Sequence, residues 1–252
     1  MININIDPVA FLSVRWYGIM VALGILVLIL WTVWQVRKGA KLTYDTVFTA
    51  ALVGIPSGVV VSRLLHVIDR WSYYSHNLGE IIGGSGLTIY GAVLGTALGI
   101  WIYSKFAKVR FGYLADVIAP GIILAQAIGR VGCTINGCCY GTETTLPWAI
   151  IYNHPNALAP LGVATHPTTV YEIIYLLIIF GVVLGLRNRL KPDGSLFMVY
   201  LSLYSVWRLG IDFLRNGTPF VFGLHQAQVI AIITLSATPL RRIRVTKQWR
   251  RS

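Results

Sequence analysis

Apolar residues run along this chain in seven long blocks, separated by shorter polar stretches. Each block has about the length needed to cross a bilayer, for which a helix requires about 20 predominantly apolar residues. The blocks therefore predict seven transmembrane helices. These predicted spans are Trp16–Trp34, Thr46–Leu65, Leu87–Ser104, Tyr113–Gly129, Thr168–Leu186, Leu196–Phe213 and Val221–Pro239.

The composition also favours a membrane protein over a soluble one. Of the 252 residues, 56% are hydrophobic and 12% are charged, whereas a soluble domain has roughly 45–50% and about 25%. The net charge of +12 does not indicate nucleic-acid binding, because the basic residues stand in short clusters between apolar blocks. We therefore predict an all-α integral membrane protein with about seven transmembrane helices.

The clusters of basic residues predict the orientation of the chain. Fifteen of the 21 Lys and Arg residues fall after spans 1, 3, 5 and 7. Because loops rich in Lys and Arg stay in the cytoplasm, this places the N-terminus outside and the C-terminus in the cytoplasm. The fifteen residues are Arg37, Lys38, Lys41, Lys105, Lys108, Arg110, Arg187, Arg189, Lys191, Arg241, Arg242, Arg244, Lys247, Arg250 and Arg251.

Two connections on the predicted outer side are longer than the others. They cover roughly residues 66–86 and 130–167, and both are rich in Gly, His and aromatic residues. Long loops of this kind are often functional. No composition shift marks a second domain, so we expect residues 1–252 to form a single transmembrane domain with these two loops on its outer face.

Six arginines lie on the predicted outer half of the protein, while all six Lys lie on the cytoplasmic side. A guanidinium offers a planar fork of donors that matches a phosphate, so this set favours recognition of an anion. The alternative is internal pairing with Asp69, Glu172 and Asp212 as structural bridges. The six are Arg15, Arg63, Arg70, Arg130, Arg208 and Arg215.

Small residues recur every four positions in two of the spans. Gly91, Gly95 and Gly99 form a stripe on the third span, and Gly54 with Gly58 repeats the spacing on the second. Small residues at this spacing let helix backbones approach closely in lipid. We interpret both sets as helix-packing positions.

The most distinctive segment follows the fourth span and reads G-R-V-G-C-T-I-N-G-C-C-Y-G over residues 129–141. Its glycines permit tight turns and exposed backbone N–H groups, which suit an anion. The segment resembles the signature of the prolipoprotein diacylglyceryl transferases, which has the form G-R-x-G-N-x-x-N-x-E-x-x-G. Arg130, Asn136 and Gly141 fall on signature positions.

The resemblance extends over nearly the whole chain. R-W-Y-G at residues 15–18 resembles the family's opening motif, with Tyr17 at its functional tyrosine, and G-L-T-I-Y-G at 86–91 is similar to its third-span motif. H-P-T-T-V-Y-E at 166–172 resembles the family's H-P-x-Q-x-Y-E. A late run is similar to Y-x3-R-x3-E-x2-R, and a glutamine follows near the last span. These late positions are Tyr204, Arg208, Asp212, Arg215 and Gln228.

Four positions depart from the family pattern. Tyr90 stands where the family has a third-span histidine, and Asp212 is shorter than the family's late glutamate. Cys133 and Cys138 replace the asparagine and the glutamate of the signature. We interpret the chain as a divergent branch of the family.

The resemblance implies a reaction that moves a diacylglyceryl group from phosphatidylglycerol to a lipobox cysteine thiol of a prolipoprotein. A thioether forms and glycerol phosphate leaves. The resemblance also implies a multi-pass protein of the bacterial plasma membrane, whose partners are an anionic phospholipid and the prolipoprotein acceptor. An alternative is a family-derived protein that binds anionic lipid and has altered or lost the transferase chemistry, which the changes at Tyr90 and Cys133 motivate.

The residue chemistry fits this reaction. Arg130 and Arg208 can stabilise the charge that develops on the leaving phosphate. The acceptor thiol must become a thiolate, and Tyr90 is a poor base, so His66 and His166 are the first replacements to test. The expected catalytic residues are Arg130, Arg208, Tyr90, His166 and Cys133. The expected substrate-binding residues are Tyr17, Arg63, Asn136, Gly141, Tyr171, Glu172, Tyr204, Asp212 and Gln228.

The cysteines Cys133, Cys138 and Cys139 allow three interpretations. Together with His154 or His166 they form a tetrahedral zinc site, or two of them form a disulfide on an oxidising face. In the third interpretation, small and weakly polar side chains only fill a turn. The spacing does not decide between these, so we assign no metal ligand and no cofactor.

Overall fold

The computed structural model describes residues 1–83, 86–217, 220–238 and 243–245. Helices dominate these residues, and the strands are short. The helices are α1 (Trp16–Arg37), α2 (Tyr44–Asp69), α3 (Trp71–Tyr74), α4 (Glu80–Gly83), α5 (Ile89–Phe106), α6 (Phe111–Asn136), α7 (Thr168–Leu186), α8 (Ser195–Ile211) and α9 (Gln226–Ala237), with a 3-10 turn at Asp212–Leu214. The strands are β1 (Ile2–Ile4), β2 (Val9–Phe11), β3 (Val14–Arg15), β4 (Ile150–Tyr152), β5 (Ala164–Thr165), β6 (Leu190–Lys191) and β7 (Arg244–Val245).

Six of the described helices are long and apolar enough to cross a membrane. They are α1, α2, α5, α6, α7 and α8, the last counted with its 3-10 turn, and their mean hydropathy runs from 1.2 to 2.4. Large apolar side chains on these helices are exposed, among them Leu52 at 74% and Phe106 at 82%. Such surfaces are unfavourable in water and suit lipid. The prediction of an all-α integral membrane protein is confirmed.

The seventh predicted span, Val221–Pro239, coincides with a shorter helix. The helix α9 has 12 residues, which is about 18 Å at 1.5 Å per residue. Its predicted end at Pro239 lies outside the described residues, as do Arg241, Arg242, Lys247, Arg250 and Arg251. The count of seven spans and the orientation of the chain therefore stay predictions.

The chain divides into two compact units, one formed by Met1–Trp31 with Ala115–Ser252 and the other by Thr32–Leu114. In the second unit, α2 and α5 pack closely along the predicted glycine stripe. A Cβ added to Gly91 would overlap the backbone of Ser62, and one added to Gly95 would overlap Ser57. The structure thus confirms the interpretation of these glycines as packing positions. The expectation of a single transmembrane domain stays a prediction.

The larger unit has its apolar core where α6, α7 and α8 meet. Ile123, Leu176, Ile179 and Val183 are at most 1% exposed. The carboxylate of Asp116 on α6 accepts hydrogen bonds from the backbone N–H groups of residues 194 and 197, at 2.7 and 2.9 Å. These N–H groups have no intrahelical partner at the start of α8, so Asp116 caps that helix from a distant part of the sequence.

The predicted loop of residues 130–167 begins later than expected, because α6 continues to Asn136. Gly132 does not form a turn. A Cβ at this position would lie 2.9 Å from Cβ of Met20 and 3.1 Å from Cα of Tyr17, so the glycine permits close packing of α1 against α6. The turn comes at Gly137, whose φ of 69° is the left-handed conformation that commonly ends a helix. The helical prediction for this segment was therefore too short.

The remainder of that loop is tied down by a small sheet. Here β1 pairs in parallel with β4, which pairs antiparallel with β5. Tyr152 of β4 is buried, and its hydroxyl donates a hydrogen bond to the carbonyl oxygen of Thr134 in α6 at 2.9 Å. This burial raises the pKa of Tyr152 above its usual range. The sheet therefore fixes the loop against the last turns of α6.

Candidate active site

A buried carboxylate lies where three helices of the larger unit meet. Glu172 of α7 is 2% exposed, and its Oε1 lies 2.9 Å from Nε of Arg130 on α6. The same oxygen accepts a hydrogen bond from the Tyr204 hydroxyl of α8 at 2.9 Å. The other oxygen, Oε2, lies 3.9 Å from Nη1 of Arg208, also on α8. Two arginines from distant parts of the sequence therefore share one carboxylate.

Arg208 is held from its other side by Asp212. Its Nη2 lies 2.7 Å from Oδ1 of Asp212 and donates to Oδ2 at 3.0 Å. Asp212 is 2% exposed, and Nε of Arg215 lies 4.0 Å from the same Oδ1. The buried Nη1 of Arg208 has no hydrogen-bond acceptor among the described residues. A charged donor is thus fixed in place with a hydrogen bond still to make.

These six side chains form what we call the Glu172 cluster: Arg130, Glu172, Tyr204, Arg208, Asp212 and Arg215. Its guanidinium groups are only 12–20% exposed. Three guanidinium groups face two carboxylates, so the cluster keeps one positive charge. Because water screens this charge poorly, it favours binding of an anion. Three of the six arginines are therefore paired with carboxylates, as one interpretation of the sequence held, and they lie together. Recognition of an anion, the other interpretation, stays a prediction.

The segment after α6 is joined to the start of α7 and the end of α8 at Gly141. Its N–H donates to the carbonyl oxygen of His166 at 3.0 Å, and its backbone bridges that of Arg215. A Cβ at Gly141 would lie 2.5 Å from Cβ of His166 and 2.7 Å from the carbonyl oxygen of Leu214. Only glycine fits here, so Gly141 positions neighbouring residues instead of offering a side chain to substrate.

The chain is similar to known proteins over nearly its whole length. The sequence model of the prolipoprotein diacylglyceryl transferases matches residues 4–240. The chain belongs to this family. A relative from Dehalococcoides mccartyi is 51% identical, over 98% of this chain and 97% of its own. Relatives from Clostridioides difficile and Listeria welshimeri are 37% and 33% identical, over 90% and 91% of this chain and 90% and 86% of their own. All three are named phosphatidylglycerol–prolipoprotein diacylglyceryl transferase, and the family resemblance inferred from motif order is confirmed.

Other family-motif residues of the larger unit make internal contacts. Asn136 is buried, and its Oδ1 accepts a hydrogen bond from Nη1 of Arg15 at 2.8 Å. Tyr171 accepts a hydrogen bond from Nε1 of Trp148 at 2.7 Å. Tyr17 follows Trp16 at the start of α1 and is 38% exposed, so it is the most exposed of the residues expected to bind substrate.

His166 and Gln228 differ in how many of their polar side-chain atoms have hydrogen-bond partners. The buried Nδ1 of His166 has no hydrogen-bond partner within the described part of the chain. The amide of Gln228 is engaged at both ends: Oε1 accepts from the N–H of His225 at 2.9 Å, and Nε2 donates to the carbonyl oxygen of Leu209 at 3.1 Å. Gln228 thus joins α9 to α8. Its expected contact with substrate stays a prediction that this hydrogen bonding does not favour.

Two expected site residues belong to the unit formed by Thr32–Leu114. Arg63 donates hydrogen bonds to the backbone carbonyl oxygens of Glu80, Ile81 and Gly86. Its guanidinium group lies 5.2 Å from the ring centroid of Tyr74. Arg63 therefore orders the connection between α2 and α5. Tyr90 lies in the first turn of α5, and its expected catalytic role stays a prediction.

The three cysteines meet beside Arg130. The Sγ atoms of Cys133, Cys138 and Cys139 all lie within 4.8 Å of one another, and each cysteine is a free thiol. Nη1 of Arg130 lies 3.7 Å from both Cys133 Sγ and Cys139 Sγ. Hydrogen bonds from the other two thiols, together with the charges of Arg215 and Arg130, hold the pKa of the Cys139 thiol well below its usual range. The disulfide interpretation is wrong for this structure.

Two arginines of the site were absent from the residues expected to act. Arg215 completes the Glu172 cluster, and Arg15 contacts Asn136. Both belonged to the six arginines of the predicted outer half, and both fall on family-like motifs, Arg15 in the opening motif and Arg215 in the late run. These were the signals in the sequence that pointed to them. Only the structure shows that Arg15 contacts Asn136 and that Arg215 lies beside Asp212.

Proposed function

We propose that this chain transfers a diacylglyceryl group from phosphatidylglycerol to the lipobox cysteine of a prolipoprotein, forming a thioether. Membership of the family over nearly the whole chain supports this activity. The observation that carries the proposal is the pair Arg130 and Arg208, held on the single carboxylate of Glu172.

The geometry supports charge stabilisation as the main catalytic contribution. The acceptor thiolate attacks the glyceryl carbon, the carbon–oxygen bond to phosphate breaks, and its electron pair stays on glycerol phosphate. The leaving group therefore gains negative charge. Arg208 offers the buried Nη1 to this phosphate, while Arg130 adds a second positive charge. Fixed donors of this kind contribute most where water is excluded.

His166 is the proposed acceptor of the thiol proton in the larger unit. Its Nδ1 is buried and without a partner in the described structure, and its backbone is held by Gly141. An imidazole is suited to proton transfer near neutral pH. Tyr17 is the proposed hydrogen-bond donor to headgroup oxygens. The hydroxyl of Tyr204 donates to Glu172, so Tyr204 is proposed to position the cluster, as Asp212 orients Arg208.

The proposed setting is the bacterial plasma membrane. The six long apolar helices support a multi-pass protein, and the distribution of Lys and Arg supports an N-terminus outside and a C-terminus in the cytoplasm. This orientation exposes the segment after α6 and the Glu172 cluster to the outer leaflet. Phosphatidylglycerol and the membrane-anchored prolipoprotein are the proposed partners.

Purified protein incubated with phosphatidylglycerol and a lipobox peptide tests the activity. We expect the peptide to gain the mass of a diacylglyceryl group, and a peptide with serine in place of the acceptor cysteine to stay unchanged. The variants Arg130→Ala and Arg208→Ala are expected to lose transfer. Arg37→Ala, which removes the same charge at an exposed position at the end of α1, is expected to keep it.

The same experiment distinguishes the alternative function. Phosphatidylglycerol that copurifies or binds without turnover, with several acceptor peptides, would identify a lipid-binding protein that has lost the chemistry. Equal transfer by wild type and Arg208→Ala would instead contradict the assignment of the anion-binding position.

A further inference from the structure

The sulfur cluster formed by Cys133, Cys138 and Cys139 has the dimensions of a metal site. Its three Sγ atoms lie within 4.8 Å of one another. Zinc binds thiolate sulfur at about 2.3 Å, which places tetrahedral sulfur ligands about 3.8 Å apart. The sulfurs therefore have to approach one another by about 1 Å at most. Cys138 and Cys139 are only half-buried, so an ion has a path to them.

The number of ligands leaves one position open. Among the described residues, the group that contains these sulfurs has no histidine or carboxylate. His154, one of the fourth ligands considered from sequence, lies 3.8 Å from Asp7 instead. Structural zinc sites have four protein ligands, whereas zinc sites with three protein ligands keep the fourth position for water or substrate.

The surrounding charge fits a zinc ion bound by three thiolates. Such a group carries one net negative charge, and a fourth thiolate makes it more negative. Nη1 of Arg130 lies 3.7 Å from two of the sulfurs, so a fixed positive charge already contacts the cluster. Because Nε of the same guanidinium binds Glu172 at 2.9 Å, Arg130 connects the sulfur cluster to the proposed phosphate position.

We propose that Cys133, Cys138 and Cys139 bind a zinc ion whose fourth position takes the thiol of the acceptor cysteine, an inference that rests on the proposed function. Coordination deprotonates the thiol, since a metal-bound thiol loses its proton, and that proton passes to the proposed base His166. The sulfur's electron pair then forms the bond to the glyceryl carbon as the carbon–oxygen bond breaks, and glycerol phosphate leaves with that pair. The product thioether is uncharged and binds zinc more weakly, so it departs.

Metal content is the first test, on the full chain purified in detergent. We expect about one zinc per chain by elemental analysis, and about none in Cys133→Ser, Cys138→Ser or Cys139→Ser. Thr134→Ser, on the same turn of α6, is the matched control that keeps all three sulfurs. If these variants fail to fold, alkylation of wild-type protein tests whether the three thiols bind zinc. Bound zinc is expected to protect all three from N-ethylmaleimide, and a chelator is expected to remove that protection.

The open position is tested with cobalt in place of zinc. A cysteine-containing lipobox peptide is expected to strengthen the sulfur-to-cobalt charge-transfer absorption, whereas the serine peptide leaves it unchanged. This readout needs no phosphatidylglycerol and no turnover. An unchanged spectrum with the cysteine peptide would overturn the claim that the acceptor binds the metal.

Three further results would overturn the inference. These are protein that takes up no stoichiometric zinc, a cysteine pair oxidised to a disulfide in active protein, and uptake of copper(I) in preference to zinc. Full transfer activity after zinc removal also contradicts it, and in that case the proposed function stands. Zinc and peptide binding without any transfer gives the opposite result, in which the metal site is supported and the proposed function fails.

Discussion

Replacing Arg208 by lysine separates its charge from its geometry. Arg208 donates Nη2 to Asp212, with oxygen distances of 2.7 and 3.0 Å, and keeps Nη1 buried and without an acceptor. A lysine ammonium keeps one positive charge and can pair with Asp212, but it has no second nitrogen fixed at a set angle. The variant Arg208→Lys therefore removes the donor proposed for the leaving phosphate and keeps the ion pair.

The expected effect is large on the rate and small on stability. Loss of one fixed donor to a developing negative charge typically lowers kcat about 10²- to 10³-fold, or about 2.7–4 kcal/mol. Because that donor acts mainly in the transition state, KM for phosphatidylglycerol is expected to change much less than kcat. The free energy of unfolding is expected to fall by about 1 kcal/mol or less, since the pair with Asp212 persists.

Initial rates of thioether formation at varied phosphatidylglycerol give kcat and KM, and thermal unfolding in the same detergent gives the change in stability. Arg37→Lys is the matched control, because Arg37 is exposed at the end of α1. A kcat for Arg208→Lys equal to that of wild type would refute the reasoning. So would a loss of rate that only parallels a loss of folded protein.

Three other variants test the structure around the site. Glu172→Gln removes a buried charge that binds two arginines, so its free energy of unfolding by denaturant should fall by about 3–5 kcal/mol. The control Glu143→Gln changes an exposed residue and should lower it by about 0.5 kcal/mol or less. Gly95→Ala should lower the free energy of unfolding by about 1–3 kcal/mol because the added Cβ overlaps α2. The Cβ added in Gly181→Ala has no neighbouring atom within contact distance, so this variant should not lower the melting temperature. Tyr152→Phe should cost about 1 kcal/mol through its lost hydrogen bond to α6. Burial raises the Tyr152 pKa, so above about pH 10 the unfolded state releases the tyrosine proton while the folded state keeps it. The free energy of unfolding of wild type therefore falls as the pH rises above about 10, and it falls less steeply in Tyr152→Phe.

Hydrophobic blocks predicted the membrane helices because their lengths are set by the bilayer and need no tertiary information. The prediction failed at the end of α6. Gly132 was placed among glycines that permit turns, yet it is helical. In lipid a glycine often marks where another helix approaches, and the distance from Gly132 to Met20 and Tyr17 shows this use. Composition alone does not distinguish the two uses of glycine.

Motif order identified most residues of the Glu172 cluster but not their arrangement. Glu172 and Asp212 were expected to contact substrate, whereas in the structure both carboxylates bind arginines. Position along the chain does not encode which carboxylate meets which guanidinium, because that depends on how α6, α7 and α8 pack. The same holds for the three cysteines, whose convergence depends on the turn at Gly137.

The carboxylates of the Glu172 cluster weaken its attraction for an anion and at the same time make it selective for the transition state. Without Glu172 and Asp212, the three guanidinium groups would repel one another and move toward water, as long basic side chains do at a membrane surface. With them, the donors are fixed and the six side chains of the cluster together keep one positive charge. The proposed reaction then gives the departing phosphate additional negative charge. The cluster therefore attracts the transition state more strongly than the bound substrate, because the phosphate carries more negative charge in the transition state. Interactions that strengthen in the transition state are the ones that accelerate a reaction.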